Sequence, residues 1–300
     1  MKLEARQLRY FVAVAEELHF GRAATRLHMS QPPLSQQIRQ LEEMLGVQLF
    51  ERTKRSVKLT YAGQVLHGQA CTVLSDLDDA VDTVRAAARG EAGFLRFGCT
   101  AASAYSVVPT LMRAFKERYP RVEVALHERI SSDQLRDLHD ARLDIGLVRM
   151  PIDQPGLVAH KLLEECLVVA IPVDHPLASE RIVDISDLQG LPFIGFSREG
   201  ARYFHNMIEG MLGASHVSPK VVQRATQMHV VVALVSAGLG LAVVPDAAAR
   251  VLVDRVVYRP LRADRLPRPE LHLCWRRDDP TPLVCNFVAL AREVASQKWP

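Results

Sequence analysis

The sequence predicts a small all-α N-terminal domain that includes a β-hairpin, then a long helix, then a larger two-part α/β domain. Three observations support this division. Closely spaced helical patterns occupy the first sixty residues, and one uninterrupted helical pattern follows to about residue 89. From residue 94 onward, short apolar segments typical of strands alternate with helical segments.

The composition is that of an ordinary globular protein. Of the 300 residues, 48% are hydrophobic and 24% charged, which excludes collagen-like, disordered and disulfide-scaffold classes. The five cysteines include no C-x-x-C pair and the histidines no metal-binding spacing, so we expect no metal and no cofactor. No apolar run is long enough for a membrane span, and the N-terminus does not resemble a secretory signal. We therefore expect a cytoplasmic protein without a membrane partner.

The charge of the chain is unevenly distributed. The formal net charge is +3, but residues 1–60 alone carry ten basic and six acidic side chains. The remaining residues therefore sum to a slightly negative charge. A basic excess at one end indicates a module that binds a polyanion, joined to a nearly neutral body.

Three amphipathic patterns in the first half of this basic region fit a helix-turn-helix. The third begins at Ser30, a good N-cap residue, and has Pro32 and Pro33 in its first turn, where proline is tolerated. Gly46 stands where a left-handed C-terminal cap would lie. The three apolar stripes consist of Leu8, Phe11, Val12, Ala15 and Leu18; of Phe20, Ala23, Ala24 and Leu27; and of Leu34, Ile38, Leu41 and Leu45. A short turn at residues 28–29 joins the second and third helices, so the third is predicted to lie in the major groove of DNA.

The opposite face of the third helix is predicted to read base edges. It carries Gln31, Pro32, Ser35, Gln36 and Arg39 and no acidic residue. The segment 47–59 then predicts a hairpin wing, because apolar residues flank a turn with four positive charges, at Arg52, Lys54, Arg55 and Lys58. We interpret the wing as a contact to the DNA backbone or minor groove. A solvated turn without a partner remains the alternative.

The next helix, which Thr60 can cap, carries an apolar pattern that predicts a dimer. Its apolar residues alternate steps of four and three, as in a coiled-coil seam, and are Leu66, Ala70, Val73, Leu77, Ala80, Val84 and Ala87. The larger of them, Leu66, Val73, Leu77 and Val84, are the predicted dimerisation residues. A long helix packed on its own domain is the alternative. Gly90 and Gly93 are predicted to end the helix.

The C-terminal two hundred residues predict repeated β-α-β units, and hence parallel sheets with helices on both faces. Strands are predicted near 94–98, 122–126, 145–148, 166–171, 193–196, 221–222, 241–244 and 271–275. Such sheets bind ligands at the carboxyl ends of their strands. Thr100, Ala102 and Ser103 follow the first of these strands and precede a helix, so they are candidates for binding a carboxylate.

Several motifs agree in order with one known family. They are Leu8-Arg9-Tyr10-Phe11-Val12-Ala13-Val14-Ala15-Glu16, Ala23-Ala24, Ser30-Gln31-Pro32-Pro33-Leu34-Ser35, Leu41-Glu42, Leu45-Gly46, Leu49-Phe50-Glu51-Arg52 and Leu59-Thr60-Tyr61-Ala62-Gly63. In these motifs the sequence resembles the LysR-type transcriptional regulators, and within that family the regulators of aromatic-compound catabolism.

The resemblance implies a division of the chain and a set of partners. A winged helix-turn-helix would occupy residues 1–60, a dimerising linker helix 61–90, and an effector domain similar to periplasmic binding proteins 91–300. Its two lobes would comprise about 91–162 with 267–300, and about 163–266. The expected partners are double-stranded promoter DNA, RNA polymerase, a small anionic or aromatic-acid effector, and further copies of the chain in a dimer or tetramer. Members of the family usually activate their target genes and repress their own gene, so the resemblance implies an activator, while the balance between activation and repression stays open.

The resemblance also assigns residue roles. It places Gln31, Pro32, Pro33, Ser35, Gln36 and Arg39 at DNA-reading positions, with Arg55 in the wing. In the effector cleft it places Ser131, Arg149, Arg202 and Phe204, and Thr226, which opens a later helix, is a further candidate.

Two other classes of protein were weighed against a regulator. An enzyme is disfavoured because the sequence contains no G-x-S-x-G, no P-loop, no metal triad and no G-x-G-x-x-G. A solute-binding protein would leave the winged helix and the heptad seam unexplained. The sequence therefore predicts a DNA-binding regulator and not an enzyme.

Overall fold

The structure is a computed structural model that describes residues 3–53, 56–149, 154–250, 253–278 and 281–296. The chain divides into two compact units, residues 1–85 and 86–300. The first unit contains three short helices, a hairpin and most of a long helix: α1 (Ala5–Glu17), α2 (Phe20–Arg26), α3 (Gln31–Leu45), β1 (Phe50–Arg52), β2 (Val57–Leu59) and α4 (Tyr61–Ala88).

The core of the first unit forms where the predicted apolar stripes meet. Phe11 of α1 and Leu34, Ile38 and Leu41 of α3 are fully buried. The ring of Phe50, at the start of β1, lies 5.4 Å from that of Phe11 and 5.9 Å from that of Phe20. The hairpin is thus packed against the same core as the helices.

The predicted helix caps are present with one exception. Gly46 has the left-handed φ of 71° expected at the end of α3, and the Thr60 hydroxyl accepts a hydrogen bond from the Gly63 amide. Ser30 is the N-cap residue of α3, but its side chain makes no capping bond. A Cβ at Gly63 would lie 2.2 Å from the Leu49 carbonyl oxygen, so a side chain would not fit where α4 passes β1.

The second unit alternates strands and helices along the chain. In order, it contains β3 (Ala92–Cys99), α5 (Ala101–Tyr105), α6 (Val107–Arg118), β4 (Arg121–Glu128), α7 (Ser131–His139), β5 (Ile145–Val148), β6 (Leu157–Glu164), β7 (Leu167–Pro172), β8 (Val183–Asp184), β9 (Pro192–Phe196), α8 (Arg202–Ala214), β10 (Lys220–Ala225), α9 (Met228–Ser236), β11 (Ala242–Pro245), β12 (Val256–Arg262), β13 (Glu270–Arg276) and α10 (Pro282–Ser296). Short 3₁₀ helices lie at Pro176–Ser179, Ile185–Leu188 and Asp246–Arg250.

These elements form two lobes. Lobe I is built on a five-stranded sheet of order β4-β3-β5-β13-β6, with α6 and α10 packed on one face and α7 on the other. Lobe II contains a four-stranded sheet of order β11-β7-β12-β8 and the parallel pair β9-β10, packed with α8 and α9. Each lobe has its own hydrophobic core.

The prediction of parallel sheets was only partly correct: β3-β4, β3-β5, β9-β10 and β8-β12 are parallel pairs, but the main sheet of each lobe is mixed. In lobe I, β3 runs parallel to β4 and β5, but β13 is antiparallel to both β5 and β6. In lobe II, β7 is antiparallel to β11 and β12. Four strands of the antiparallel pairs, β6, β7, β12 and β13, lie next to the points where the chain passes between lobes without a helical crossover, so the β-α-β rule does not apply to them.

Three strands, β6, β12 and the two-residue β8, were missed by the sequence analysis. β6 includes the polar residues His160 and Lys161 and lies at the edge of its sheet. β12 contains Arg259 and Pro260, and proline inside an apolar run argues against a strand. β6 and β12 therefore lack the pattern of a buried strand, although β6 pairs with β13 at seven residues and β12 pairs with β7 at five.

Candidate nucleic-acid interface and ligand cavity

The helix α3 presents a polar face that its fold leaves uncovered. Gln31, Pro32, Pro33, Gln36 and Arg39 are exposed, and Ser35 is half-buried. These residues alternate with the buried stripe at the spacing of an α-helix, so one face is fixed in the core and the other is open. The exposed face carries hydrogen-bonding and cationic side chains, as base and phosphate contacts require.

The helix α2 and the turn after it set the position of α3. His19 caps α2, because its Nδ1 accepts hydrogen bonds from the amides of Gly21 and Arg22 at 3.1 and 3.2 Å. Ala23 and Ala24 are buried and permit close helix packing. His28 adopts a left-handed φ of 52°, which turns the chain sharply into α3. This is the geometry of a helix-turn-helix.

The wing is a short antiparallel hairpin. β1 and β2 pair from Phe50 with Leu59 to Arg52 with Val57. The turn is closed by Thr53 and Ser56, because the Thr53 amide donates to the Ser56 carbonyl at 2.9 Å and the Ser56 amide donates to the Thr53 hydroxyl at 3.0 Å. Lys54 and Arg55, which were predicted to contact DNA, lie outside the described residues.

Arg52, a predicted DNA-contact residue, has protein partners in the structure. Its Nη2 donates to Glu42 Oε2 at 2.6 Å, and its guanidinium lies 4.9 Å from the centre of the Phe20 ring. The Arg52 side chain is 31% exposed and that of Glu42 13%. The other predicted DNA-contact residues within the described part of the chain lie on the polar face of α3.

The predicted dimer seam on α4 divides into two parts. Ala70 is buried and Leu66 half-buried against the core of the helix-turn-helix. Val73, Leu77 and Val84 are exposed by 49%, 41% and 70%, and the neighbouring Val81 by 43%. A row of exposed aliphatic side chains on one helix indicates a surface that another chain covers. Leu66 is already engaged within its own unit.

A cavity of about 1000 Å³ lies between the two lobes of the second unit. Seven of the eight predicted effector-binding residues line it, namely Thr100, Ala102, Ser131, Arg149, Arg202, Phe204 and Thr226. Ser103 does not, because it is fully buried and forms a capping box with Thr100: its hydroxyl accepts from the Thr100 amide at 2.9 Å. Thr226 does not open the helix as predicted, since α9 begins at Met228 with Gln227 as N-cap.

Four helices begin at the wall of this cavity: α5, whose N-cap Thr100 is bonded to Ser103, and α7, α8 and α9. The N-terminal residues and N-caps of α7, α8 and α9 all line it. At each of these three starts the N-cap side chain makes no capping bond. The starts of α7, α8 and α9 thus bring the positive ends of three helix dipoles to the cavity, which favours an anionic ligand.

Arg149 is buried in the cavity wall and already neutralised. Its Nη2 donates to Glu165 Oε2 at 2.5 Å, and both side chains are at most 5% exposed. Its guanidinium lies 4.6 Å from the centre of the Phe204 ring, and its backbone amide donates to the Ser131 hydroxyl at 3.0 Å. Arg149 Nε and Glu165 Oε1 are buried without a hydrogen-bond partner.

Three more arginines line the cavity, and only one acidic residue does. Arg129, Arg198 and Arg202 are exposed, and Glu199 is the acidic residue among the described lining residues. Within the described part of the chain, none of the three arginines forms an ion pair with a carboxylate. The cavity therefore has an excess of positive charge even when Arg149 is counted as neutral.

An aromatic wall adds apolar surface on the lobe II side. The rings of Phe196 and Phe204 stack at 5.0 Å with an interplanar angle of 25°. Tyr203 is held by its hydroxyl, which accepts a hydrogen bond from the Glu270 amide at 2.8 Å. Burial raises the pKa of this phenol, so it stays protonated and neutral. Gly200 has a φ of 80°, and a Cβ there would lie 2.5 Å from Thr226.

Sequence analysis did not identify Arg129, Arg198, Tyr203, Phe196 and Gln227 as cavity residues. Arg129 follows a predicted strand, and this signal could have found it. The others precede or begin helices in lobe II, and their convergence depends on the crossover between lobes, which periodicity does not reveal. Cys99, next to Thr100, is buried, and burial together with Glu128 raises its thiol pKa to about 11.

Among the residues that the structure describes, no group of three or more His, Cys, Asp or Glu side chains is placed to hold a metal ion. In the same part of the chain, no helix has the length and apolar character needed to span a membrane.

An open polar helix and a basic hairpin in one unit, together with a ligand-sized cavity in the other, define a DNA-binding regulator that responds to a small molecule. Comparison with known proteins agrees. Residues 5–64 match the bacterial regulatory helix-turn-helix proteins of the lysR family, and residues 88–296 match the LysR substrate binding domain. The chain belongs to the LysR family of transcriptional regulators. As a member of this family it is a DNA-binding transcriptional regulator with a small-molecule effector domain, and not an enzyme.

Individual relatives match along nearly the whole chain. The HTH-type transcriptional regulator AlsR of Bacillus subtilis is 36% identical over 289 residues, which covers 96% of this chain and 95% of AlsR. The Hca operon transcriptional activator HcaR of Escherichia coli is 34% identical, covering 97% of this chain and 98% of HcaR. The crystal structure of CbnR, a LysR family regulator, matches with a TM-score of 0.84 at 29% identity and covers 97% of this chain and all of that one. CbnR in complex with its target DNA matches with a TM-score of 0.80 at 28% identity, over 98% of this chain and all of that one.

Proposed function

We propose that this regulator responds to a small carboxylic acid, and that an aromatic acid is the best fit. The observation that carries the proposal is the convergence on one cavity of three helix N-termini without a capping side chain and of three arginines that pair with no carboxylate among the described residues. Phe196 and Phe204, which both line the cavity, supply apolar surface against which an aromatic ring can pack. The motifs shared with regulators of aromatic-compound catabolism support the same choice.

The effector would act by stabilising one arrangement of the two lobes. A ligand shifts such an equilibrium only through its different affinities for the two states. An acid that touches Ser131 of lobe I and Arg202 of lobe II has contacts that depend on the distance between the lobes. We propose that the regulator uses no cofactor besides this effector.

The proposal extends to the DNA side of the molecule. The exposed face of α3 would read base edges, and the wing, including Arg55, would contact phosphates. Val73, Leu77 and Val84 would form the dimer seam of α4. Two dimers would assemble into a tetramer that activates transcription in the cytoplasm.

Ligand binding to the purified full-length protein tests the effector proposal. Benzoate and its neutral isostere benzamide are compared by calorimetric titration and thermal shift, together with a panel of aliphatic and aromatic mono- and dicarboxylates. We expect at least one acid to bind and to raise the melting temperature, and benzamide to do neither. Arg202→Ala should weaken the binding of that acid, whereas Arg113→Ala, a change at an exposed arginine outside the cavity, should not. Equal binding of neutral and anionic analogues would contradict the proposal.

A further inference from the structure

Glu42 joins the two elements that carry the proposed DNA contacts. It lies in the last third of α3, the helix whose first residues form the reading face. Its Oε1 accepts hydrogen bonds from the amides of Leu49 and Phe50 at 2.9 and 3.1 Å, where the chain enters the wing. Its Oε2 accepts from Arg52 Nη2 at 2.6 Å. One carboxylate thus fixes the base of the wing at three points.

Arg52 is held from a second side by an aromatic contact. Its guanidinium lies over the ring of Phe20, on α2, at 4.9 Å. The Phe50 ring is 5.9 Å from the same Phe20 ring. The first strand of the wing is therefore tied to α2 through rings and to α3 through the carboxylate, and these contacts fix its direction relative to the reading face.

From this geometry we infer that Glu42 is a positioning residue for DNA binding. It holds the wing at the angle at which its cations reach phosphates while α3 occupies the major groove, and Arg52 serves this contact and not DNA directly. The inference rests on the proposed role of the wing. It assigns a function to an acidic residue in a domain that binds a polyanion, where an unpaired acid would only repel the ligand.

The inference predicts a change in DNA affinity opposite in direction to the change expected from charge repulsion alone. Removing an acidic side chain from a DNA-binding domain should strengthen DNA binding if only the net charge matters. Removing Glu42 should instead weaken it, because the wing loses three hydrogen bonds that set its position. Glu43 supplies the matched control, since it is the next residue on α3 and is exposed.

The experiment measures DNA affinity at several salt concentrations for Glu42→Ala, Glu42→Gln, Glu43→Ala and Glu43→Gln in the full-length protein. We expect Glu42→Ala to weaken specific binding about tenfold and to reduce the salt slope by roughly one per wing, as expected when a phosphate contact is lost. Both Glu43 variants should bind as tightly as the original protein or more tightly. Hydrogen exchange at the amides of Leu49 and Phe50 should be faster in Glu42→Ala, with exchange at Ile38 unchanged.

Further variants separate positioning from direct contact. If Arg52 acts through Glu42, the double variant Glu42→Ala/Arg52→Ala should bind DNA about as well as Glu42→Ala alone, whereas Arg52→Ala, which keeps the two amide bonds of Glu42, should lose less. Additive losses would mean that Arg52 contacts DNA by itself and would overturn the inference. Glu42→Gln keeps an oxygen acceptor for the two amides and so retains the fold if Glu42→Ala does not; it should bind less tightly than Glu43→Gln.

Arg55→Ala distinguishes failure of this inference from failure of the wing proposal. If Arg55→Ala leaves the affinity and salt slope unchanged, the wing does not contact phosphates and both proposals fail. If Arg55→Ala reduces both but the Glu42 variants behave like the Glu43 variants, the wing proposal stands and the positioning role of Glu42 is overturned.

Discussion

The ion pair of Arg149 and Glu165 concentrates two opposite charges in the interior of the effector domain. Glu165 is the acid within hydrogen-bond distance of a guanidinium that is only 3% exposed. Its loss would leave a buried cation without compensation, which is costly in a medium of low polarity. The pair therefore constrains the cavity wall more strongly than any exposed ion pair of the same domain does.

We expect Glu165→Gln to lower the unfolding free energy of the effector domain by about 3 kcal/mol. Calorimetry should show this as a melting temperature about 6–12 °C lower. Glu164→Gln is the matched control: it removes the neighbouring carboxylate, which pairs with exposed Lys161 at 2.7 Å, and should cost about 0.5 kcal/mol or less. Equal melting temperatures for the two variants would show that the buried pair contributes nothing.

On the DNA side, Gln31 and Arg55 test different kinds of contact. Gln31 is the first residue of α3 and exposed, and a glutamine amide can donate to and accept from a base edge. Gln31→Ala should change the preferred bases and leave nonspecific affinity nearly constant. Arg55→Ala should weaken binding to all sequences by a similar factor. Binding to a randomised pool of DNA sites, followed by sequencing, measures both effects. A uniform loss of affinity for Gln31→Ala would assign that residue to the backbone.

At the residue scale, the sequence predicted which side chains are exposed better than it predicted which side chains contact each other. The exposed face of α3 follows from helical periodicity and the buried stripe of Leu34, Ile38 and Leu41. The partner of Arg52 could not be predicted, because Glu42 is ten residues away and meets it only when the wing folds back. Ser103 was misplaced for a similar reason: a hydroxyl after a strand fits either a ligand contact or a capping box, and the structure shows the second.

At the scale of elements, α4 shows how one apolar pattern serves two purposes. The seam continues from Leu66 to Ala87 in the sequence without a change of spacing. In the structure, its first part packs on the helix-turn-helix core, and its later part, with Val73, Leu77 and Val84, remains exposed. Heptad spacing identifies an apolar face but does not say what covers it, so the sequence alone could not divide the seam.

This division predicts different results for two aspartate variants of α4. Leu77→Asp should dissociate the dimer and abolish specific DNA binding while each chain stays folded, because a carboxylate in an apolar seam is costly. Leu66→Asp should instead destabilise the helix-turn-helix itself. Ser75→Asp adds the same charge off the seam and should change neither property. Sedimentation velocity and circular dichroism distinguish these outcomes, and a Leu77→Asp protein that sediments as a dimer would place the interface elsewhere.

In the effector domain, the sequence predicted the uniformly apolar strands but missed two that polar residues or proline interrupt. Uniformly apolar segments such as β5 and β11 were found, since a buried strand is apolar on both faces. β6 and β12 were missed because Lys161 and Pro260 interrupt their patterns. These two strands lie beside the crossovers between lobes, so the order and direction of the strands could not be derived without them.

For the whole molecule, the separation of functions between two units determines how DNA is bound. The basic residues that were counted in the first sixty positions belong to the unit with the helix-turn-helix, and the cavity belongs to the other. The uneven distribution of charge along the sequence therefore indicates that DNA binding belongs to the N-terminal part of the chain. It did not indicate the shape of the cavity, which depends on helices that begin far apart in the chain.

A two-fold dimer places its two reading helices on the same side of DNA, at half-sites separated by a whole number of helical turns. Inserting about 5 bp between the half-sites of a natural operator turns one half-site to the opposite side of the DNA and should reduce the affinity strongly. Inserting about 10 bp returns both half-sites to the same side and should recover part of the affinity. Gel-shift titrations at one salt concentration measure the difference. Leu77→Asp is the control, because a variant that has lost the dimer and its specific binding should retain only weak affinity, equal for both altered operators. If the original protein also failed to distinguish the two insertions, its two reading helices would not engage DNA together, and α4 would not be the element that pairs them.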